Sequence, residues 1–500
     1  MADLQVQHKV SNLFKWGLVV ISALLAVRLI SLGLYPFFDT TESRYGEIAR
    51  LMLQTDNWIT PQIDYNIPFW GKPPMHTWLS ALGLGYLGVN EFAARLPHFL
   101  VGILTLGLIA KFARAVGNRQ QAIFSVLIMC SSLGFILASG MVMTDSLLLF
   151  SYTLALISFW FNWKNEKPKL FGHLFFVALA LGMLIKGPVM VVFVVLALSV
   201  WSIWQRCFIS ALKSLPWISG MALLFALILP WYVAAELRTP GFLEYFILGE
   251  HIHRFLVSGW QGDLYGSAHV RPRGSIWLFA ILCAFPWSLF IIKWAWKALK
   301  SKLAPSVHGP ISNQDKVNNA HLASINPYLV SWMIAPLILF TFAGNILPIY
   351  ALPGFSAMAL ILALNIKFKA KHLFAACVTL IILVLVISGL SFGWIKAKTE
   401  APLLLPIKEK LRQSELYYWQ ERPFSGQFYS LGQAQAIENK NELIKLLNSR
   451  KNLYIGLLLS DYQALKSLFS QYCVEQDRYK RRLLLLCTRI KNDESSISRR

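Results

Sequence analysis

About eleven mostly apolar stretches, each near the length that crosses a bilayer as a helix, recur through this chain of 500 residues, and nothing else constrains its fold so tightly. They cover residues 16–34, 92–112, 121–140, 146–163, 170–185, 188–204, 215–235, 276–294, 327–343, 347–364 and 372–394. A water-soluble domain has nowhere to bury so much continuous apolar surface. Only 14% of the residues are charged and 56% are hydrophobic, whereas soluble domains carry about 25% charged residues. The expected fold is therefore an α-helical polytopic membrane protein with about eleven transmembrane helices. The first run is long for a signal-peptide core and ends without a small-residue cleavage site, so it reads as a retained helix.

The formal net charge of +22 points either to nucleic acid or to topology, and its placement decides. With the N-terminus in the cytoplasm, Lys9, Lys15, Lys111, Arg114, Arg119, Lys164, Lys167, Lys169, Arg206 and Lys213 all fall inside. So do Lys293, Lys297, Lys300, Lys302, Lys367, Lys369 and Lys371, while the short loops 141–145 and 344–346 carry no Lys or Arg. This is the positive-inside pattern, and it argues against nucleic acid as a partner. It puts the loops 35–91 and 236–275 and the tail on the outer face. The chain divides into a transmembrane domain, 1–394, and a tail, 395–500. Residues 304–324 are rich in Ser, Asn and Pro and read as a cytoplasmic linker. Strand-like runs at 453–459 and 483–487, with helix-like segments at 441–447 and 461–471, predict a small α/β domain in the tail. Cys130, Cys207, Cys283 and Cys377 lie in or beside spans as small hydrophobes. Cys473 and Cys487 flank a hairpin turn and are either disulfide partners in an oxidising compartment or unrelated thiols.

The chemistry concentrates on the outer face. Asp39-Thr40-Thr41-Glu42-Ser43-Arg44-Tyr45-Gly46-Glu47 follows the first span directly. Tyr45, Ile48, Leu51 and Met52 share one side of a helix and Ser43, Glu47, Arg50 and Gln54 the other, which predicts a helix lying along the membrane plane. Lys72 directly precedes Pro73 and Pro74, where a second helix would begin. An ammonium beside free backbone N–H groups makes an anion site. Lys186-Gly187-Pro188 repeats the arrangement, although Lys186 also reads as a snorkelling lysine. Arg44 either pairs with Glu47 at low value or binds phosphate. Asp39 and Glu42 are candidates for general base and sugar-hydroxyl contact, or else cap the interfacial helix. Asp145 opens the fourth span as an N-cap or as a carboxylate facing the same cavity. In Glu250-His251-Ile252-His253-Arg254-Phe255, Arg254 suits a phosphate clamp. The nearby Glu and His residues match no strong metal signature. Arg28, inside the first span, is either a partner for an acid or a snorkelling residue.

Taken in order, these motifs resemble the GT-C membrane glycosyltransferases, in particular the bacterial enzymes that move 4-amino-4-deoxy-L-arabinose from undecaprenyl phosphate to lipid A. Protein O-mannosyltransferases are more distantly similar. Glu42 to Glu47 look like the family's acidic first-loop motif, Lys72-Pro73-Pro74 like its Lys-Pro-Pro motif, and the segment from Glu250 to Phe255 like its later loop motif. A weaker echo lies in residues 347–353. The resemblance implies a polyprenyl-phosphate sugar donor, an envelope acceptor such as lipid A, and inversion at the anomeric carbon. It also implies a multi-pass protein of the bacterial inner membrane with a periplasmic C-terminal domain. Arg44, Lys72, Lys186 and Arg254 would face the donor phosphate. Asp39, Glu42 and Asp145 are the candidate catalytic carboxylates, with Tyr45, Glu47, His251, His269 and Tyr350 as further substrate contacts. Two positions depart from the pattern. The family's Asp before the first-loop Glu is Thr41 here, and its acidic residue before the Lys-Pro-Pro lysine, able to help bind a metal, is Gly71. No metal or other cofactor is required by this reading, and a divalent metal held by the clustered Glu and His residues is the alternative. A transporter of a lipid-linked sugar, a protein O-glycosyltransferase and a non-catalytic assembly partner are the competing functions.

Overall fold

The computed structural model describes residues 2–266, 270–303, 313–448 and 452–488. Eight of the described helices are long and apolar enough to cross a membrane: Asn12–Ser31, Glu91–Val116, Thr144–Trp163, Pro168–Lys186, Trp217–Arg238, Ser324–Thr341, Pro348–Asn365 and Ala370–Ser391. The chain is a multi-pass helical membrane protein. The three other expected spans take different forms. Residues 121–140 break into Arg119–Cys130 and Leu133–Ala138, where the Ser131 and Ser132 hydroxyls turn back onto the carbonyls of Leu127 and Ile128 and compete with the backbone ladder. Val189–Trp204 is apolar but only 16 residues long. Residues 276–294 become a pair, Ser275–Cys283 and Ser288–Lys300, bent by 116° around Pro286, which has no N–H to continue a helix. Of the expected linker, 304–312 lie outside the described residues, and helix begins at Asn313.

Thr144–Trp163 is almost wholly enclosed by the other helices. Its polar side chains are used between helices: Ser151 donates to the Ala178 carbonyl at 2.6 Å, and the Thr153 and Ser356 hydroxyls meet at 2.7 Å. In a low-dielectric interior these groups need such partners.

The loop after the first span carries a hairpin of β1 (Gln62–Asp64) and β2 (Ile67–Pro68). The tail holds a five-stranded sheet of β3 (Glu415–Trp419), β4 (Ala434–Ile437), β5 (Leu453–Leu458), β6 (Cys473–Tyr479) and β7 (Arg482–Cys487), in the order β4-β3-β5-β7-β6. β3 is parallel to β4 and β5, while β7 runs antiparallel to β5 and β6. The anticipated strands are β5 and β7. The anticipated helix 461–471 is two short helices, Leu459–Ala464 and Lys466–Tyr472. Cys473 and Cys487 face each other across β6 and β7 and are disulfide-bonded. Alternation along the strands gives the sheet two apolar faces. Leu416, Tyr418, Tyr454 and Leu484 pack with Phe37, Tyr45 and Ile48 of the first loop, and Trp419, Ile455, Leu457 and Leu485 form a core with Leu443 and Phe469.

This packing corrects the reading of the first-loop helix. Thr41–Thr55 forms, but its polar side is not open to water. Ser43, Glu47 and Arg50 are buried with the apolar side, covered by the tail helix Phe424–Tyr429. The Arg50 guanidinium fills the space beside Gly432, and Arg422 of the tail pairs with Asp64. Glu400, 3% exposed, accepts from Tyr418 Oη and Arg482 Nε, each at 3.1 Å. Burial pushes its carboxyl from 4.5 up to about 7, against the opposing pull of Arg482 and Tyr418. A carboxyl raised in the folded state contributes stability below its ordinary value and loses it as pH rises through the folded value. The melting temperature of the purified protein is therefore expected to fall between pH 5 and 8, and Glu400→Gln to flatten the slope. A melting temperature that climbs over that interval would contradict this.

Candidate active site

Six segments, far apart in sequence, deliver polar side chains to one cavity of about 200 Å³ at one end of the helices. Arg44 and Tyr45 lie in the opening turns of Thr41–Thr55. Lys72 immediately precedes Pro73, Pro74 and the helix Met75–Leu87. Asp145 is the second residue of Thr144–Trp163, whose N-cap is Met143, so the carboxylate is free to face inward. Lys186 ends Pro168–Lys186. Gly187 then turns the chain at φ +77, and a Cβ there would lie 2.5 Å from the Phe246 ring, so glycine is required twice over. Tyr245–His253 is a widened π turn that carries Glu250 and leads into Arg254. Tyr350 comes from the 3₁₀ turn Pro348–Gly354. π turns are frequent at functional sites.

The cations are held, and their charges are unequally balanced. Lys72 Nζ donates to Glu250 Oε2 at 2.8 Å, and Arg254 Nη1 reaches both Glu250 oxygens at 3.1 and 2.9 Å. Arg254 also pairs with Asp263 at 3.4 Å. Burial opposes the charge on Glu250, yet Lys72 and Arg254 hold its carboxyl down to about 2. Lys186 Nζ donates to Asp145 Oδ1 at 2.7 Å and sits over the Tyr350 ring at 4.3 Å. Arg44 differs. It donates to the Tyr265 carbonyl and lies over the Tyr45 and Phe69 rings at 5.3 and 5.8 Å, and it has no carboxylate partner among the described residues. Its Nε is buried without a hydrogen-bond partner. The lining thus sets four cations, Arg44, Lys72, Lys186 and Arg254, against three carboxylates, Asp145, Glu250 and Asp263. One excess positive charge in a confined space attracts an anion strongly.

Other expected site residues lie elsewhere. Asp39 does not line the cavity. Its carboxylate accepts from Ser43 Oγ, from the Ser425 N–H at 3.0 Å and from Ser425 Oγ. Glu42 is 2% exposed and takes two bonds of 2.8 Å from Arg95 and a third, at 3.3 Å, from the Val142 N–H. Glu47 pairs with Arg50 at 2.6 Å. His251 faces the carbonyls of Phe246 and Lys186 at 2.7 and 3.0 Å, beside the cavity instead of in it. His269 lies outside the described residues. Arg28 meets no acid among the described residues. It donates to the carbonyls of Ser139 and Leu137 and to Ser31 and Tyr35, bracing the turn before Asp145. Among the lining residues that escape the sequence reading are Asp263, Tyr265 and Phe424. The Gly262-Asp263 and Tyr265-Gly266 pairs mark a turn close to Glu250 in sequence, which was a usable signal. Phe424 had none.

At the two positions that depart from the family pattern, Thr41 and Gly71 both line the cavity. A side chain at position 71 would meet the Phe69 ring 2.8 Å from its Cβ. Among the described residues no group of three His, Cys, Asp or Glu is placed to hold a metal ion.

Against known proteins, the family model described as dolichyl-phosphate-mannose-protein mannosyltransferase matches residues 12–246. A relative from Wigglesworthia glossinidia brevipalpis, named undecaprenyl phosphate-alpha-4-amino-4-deoxy-L-arabinose arabinosyl transferase, is 26% identical over 363 residues, 71% of this chain and 59% of the relative. One of the same name from Erwinia tasmaniensis is 28% identical over 341 residues, 67% of this chain and 56% of the relative. The match therefore spans less than two thirds of the relatives' length. A crystal structure of ArnT from Cupriavidus metallidurans bound to undecaprenyl phosphate superposes with a TM-score of 0.74, at 18% identity, over 94% of this chain and 98% of that one. The chain has the GT-C glycosyltransferase fold and resembles the aminoarabinose transferases.

Proposed function

We propose that this chain transfers a sugar from a polyprenyl-phosphate donor to an ionised group on an envelope acceptor, lipid A first among them, at the outer face of a bacterial inner membrane. The observation that carries this reading is the convergence of Arg44, Lys72, Lys186 and Arg254 on one cavity, with Arg44 left without a counter-charge among the described residues. In the reaction the bond between the anomeric carbon and the phosphate oxygen breaks, and its electron pair stays on the phosphate. The acceptor oxygen bonds to the same carbon from the opposite face, inverting it. The donor diester carries one negative charge; the departing monoester carries about −1.5 to −2. Cations already fixed around that oxygen stabilise the gain more than they stabilise the ground state.

The acceptor class follows from the carboxylates. A hydroxyl acceptor needs a base whose pKa lies near the working pH. Glu250, held down to about 2, does not meet that need, Asp145 is tied to Lys186, and Asp263 is paired with Arg254. An acceptor already ionised, such as a phosphate of lipid A, needs no base. Nor does the reading need a metal, since the lining already carries one positive charge in excess of its carboxylates. The relatives' names and the polybasic inner loops support the same donor and membrane face.

The test is reconstitution with radiolabelled undecaprenyl-phosphate-linked 4-amino-4-deoxy-L-arabinose and lipid A. Product is expected, with EDTA leaving the rate unchanged. Lipid A stripped of its phosphates is expected to lower the rate at least about 100-fold. Movement of the donor across the membrane without product would mean a transporter. Equal transfer to a peptide hydroxyl would overturn the acceptor class.

A further inference from the structure

The tail domain reaches the cavity at a single described residue, Phe424, which lines it beside Thr40 and Thr41. Its position is fixed by an unusual amount of polar bonding for a contact between domains. Ser425, wholly buried, gives both its N–H and its hydroxyl to the Asp39 carboxylate, while its oxygen accepts the Glu400 N–H at 2.9 Å. Asp39 N–H in turn donates to the Lys398 carbonyl at 2.8 Å. One helical turn on, Tyr429 accepts from the Phe37 N–H at 2.8 Å and donates to Glu91 at 2.7 Å. The Phe37 and Phe428 rings pack at 4.8 Å. The bonds to Asp39, Phe37 and Glu91 join residues 338 to 392 positions apart and hold the tail against the loop that carries Arg44.

We propose that Phe424 is a specificity-determining contact for the acceptor, and that Asp39 is a positioning residue that holds it there through Ser425. The inference rests on the proposed transferase reading. Its logic is one of place. The donor phosphate is met by cations from the membrane-spanning part. The tail adds one residue to the rest of the lining, the apolar and aromatic Phe424. A ring in that position can stack on a sugar face or pack on the acceptor's apolar body without adding charge beside the leaving group. A carboxylate taking a backbone N–H and a hydroxyl from one residue fixes that residue's direction as well as its distance, so the ring cannot swing away. This gives Asp39 a task that its sequence position next to the motif does not disclose.

The experiment uses full-length protein in detergent, with undecaprenyl-phosphate-linked 4-amino-4-deoxy-L-arabinose as donor and lipid A as acceptor. Phe424→Ala is expected to raise the acceptor KM about tenfold with kcat nearly kept and undecaprenyl phosphate binding unchanged. Ser425→Ala and Asp39→Asn are each expected to raise the acceptor KM in the same way. The double variant should be no worse than either single one, as two residues acting through one contact require. If Asp39 instead takes a proton, Asp39→Asn will collapse kcat while Ser425→Ala leaves the rate intact, and the positioning role is overturned. An acceptor KM unmoved by Phe424→Ala, or a matching loss of undecaprenyl phosphate binding, also overturns it. Wild-type protein that binds undecaprenyl phosphate but forms no product would instead sink the transferase reading.

Discussion

Lys72→Ala is expected to lower kcat/KM by about 10²- to 10³-fold while leaving the protein folded in the membrane. The ammonium sits 2.8 Å from Glu250 at the start of a helix, with its side chain 16% exposed. Its loss does not strand Glu250, which keeps two bonds from Arg254. The structural cost should therefore be small, and the functional cost follows from the leaving group. In the proposed transfer the departing phosphate gains charge that Lys72 meets at the transition state more than at the ground state, so kcat should fall together with kcat/KM. Initial rates with the radiolabelled donor give both constants, and size-exclusion chromatography in detergent reports the fold. A rise in donor KM alone, with kcat intact, would reduce Lys72 to a uniform binding contact. Wild-type kcat and KM together would remove it from the site.

How much of this was legible in the sequence differs by kind of interaction. Apolar length and the Lys/Arg bias are written locally, so the spans, the basic loops and the first-loop helix could be read directly. The cations of the cavity could be read too, because a charge kept at the outer end of a membrane helix has few inexpensive explanations. Their counter-ions could not. Glu250 answers Lys72 across 178 positions, Asp39 meets Ser425 across 386, and Glu42 meets Arg95 across 53. No periodicity records such pairings, so Asp39 and Glu42 looked free when both carboxylates have partners inside the fold. The three expected spans that broke or shortened show a second limit. A window of apolar residues does not register two serines that turn back on their own helix, or the bend around Pro286. β3 and β4 went unread because the Leu416–Trp419 and Ala434–Ile437 runs are short, and β3 is a strand between β4 and β5 while β4 pairs only with β3.

Arg95→Ala is expected to cost about 3–5 kcal/mol and to remove most folded protein, the second large effect the structure predicts. Arg95 is wholly buried. Its guanidinium binds Glu42 through two bonds of 2.8 Å and satisfies the carbonyls of Leu32, Tyr35 and Pro36 at 2.7, 2.8 and 3.2 Å. The Tyr35 and Phe37 rings lie 4.0 and 4.8 Å away. Alanine leaves a buried carboxylate with a single N–H donor, from Val142, and three carbonyls without this partner, each an expensive loss in such a setting. Lysine restores the charge but not the planar fork, so Arg95→Lys should recover only part of the yield. Glu42→Gln separates support from catalysis. A glutamine still accepts one bond from Arg95, so folded protein should fall but survive, and the rate per folded molecule should stay within about threefold of wild type. A per-molecule rate reduced about 100-fold in that variant would mean that the Glu42 charge acts on the reaction itself, and that its bonds to Arg95 and Val142 serve to hold a base.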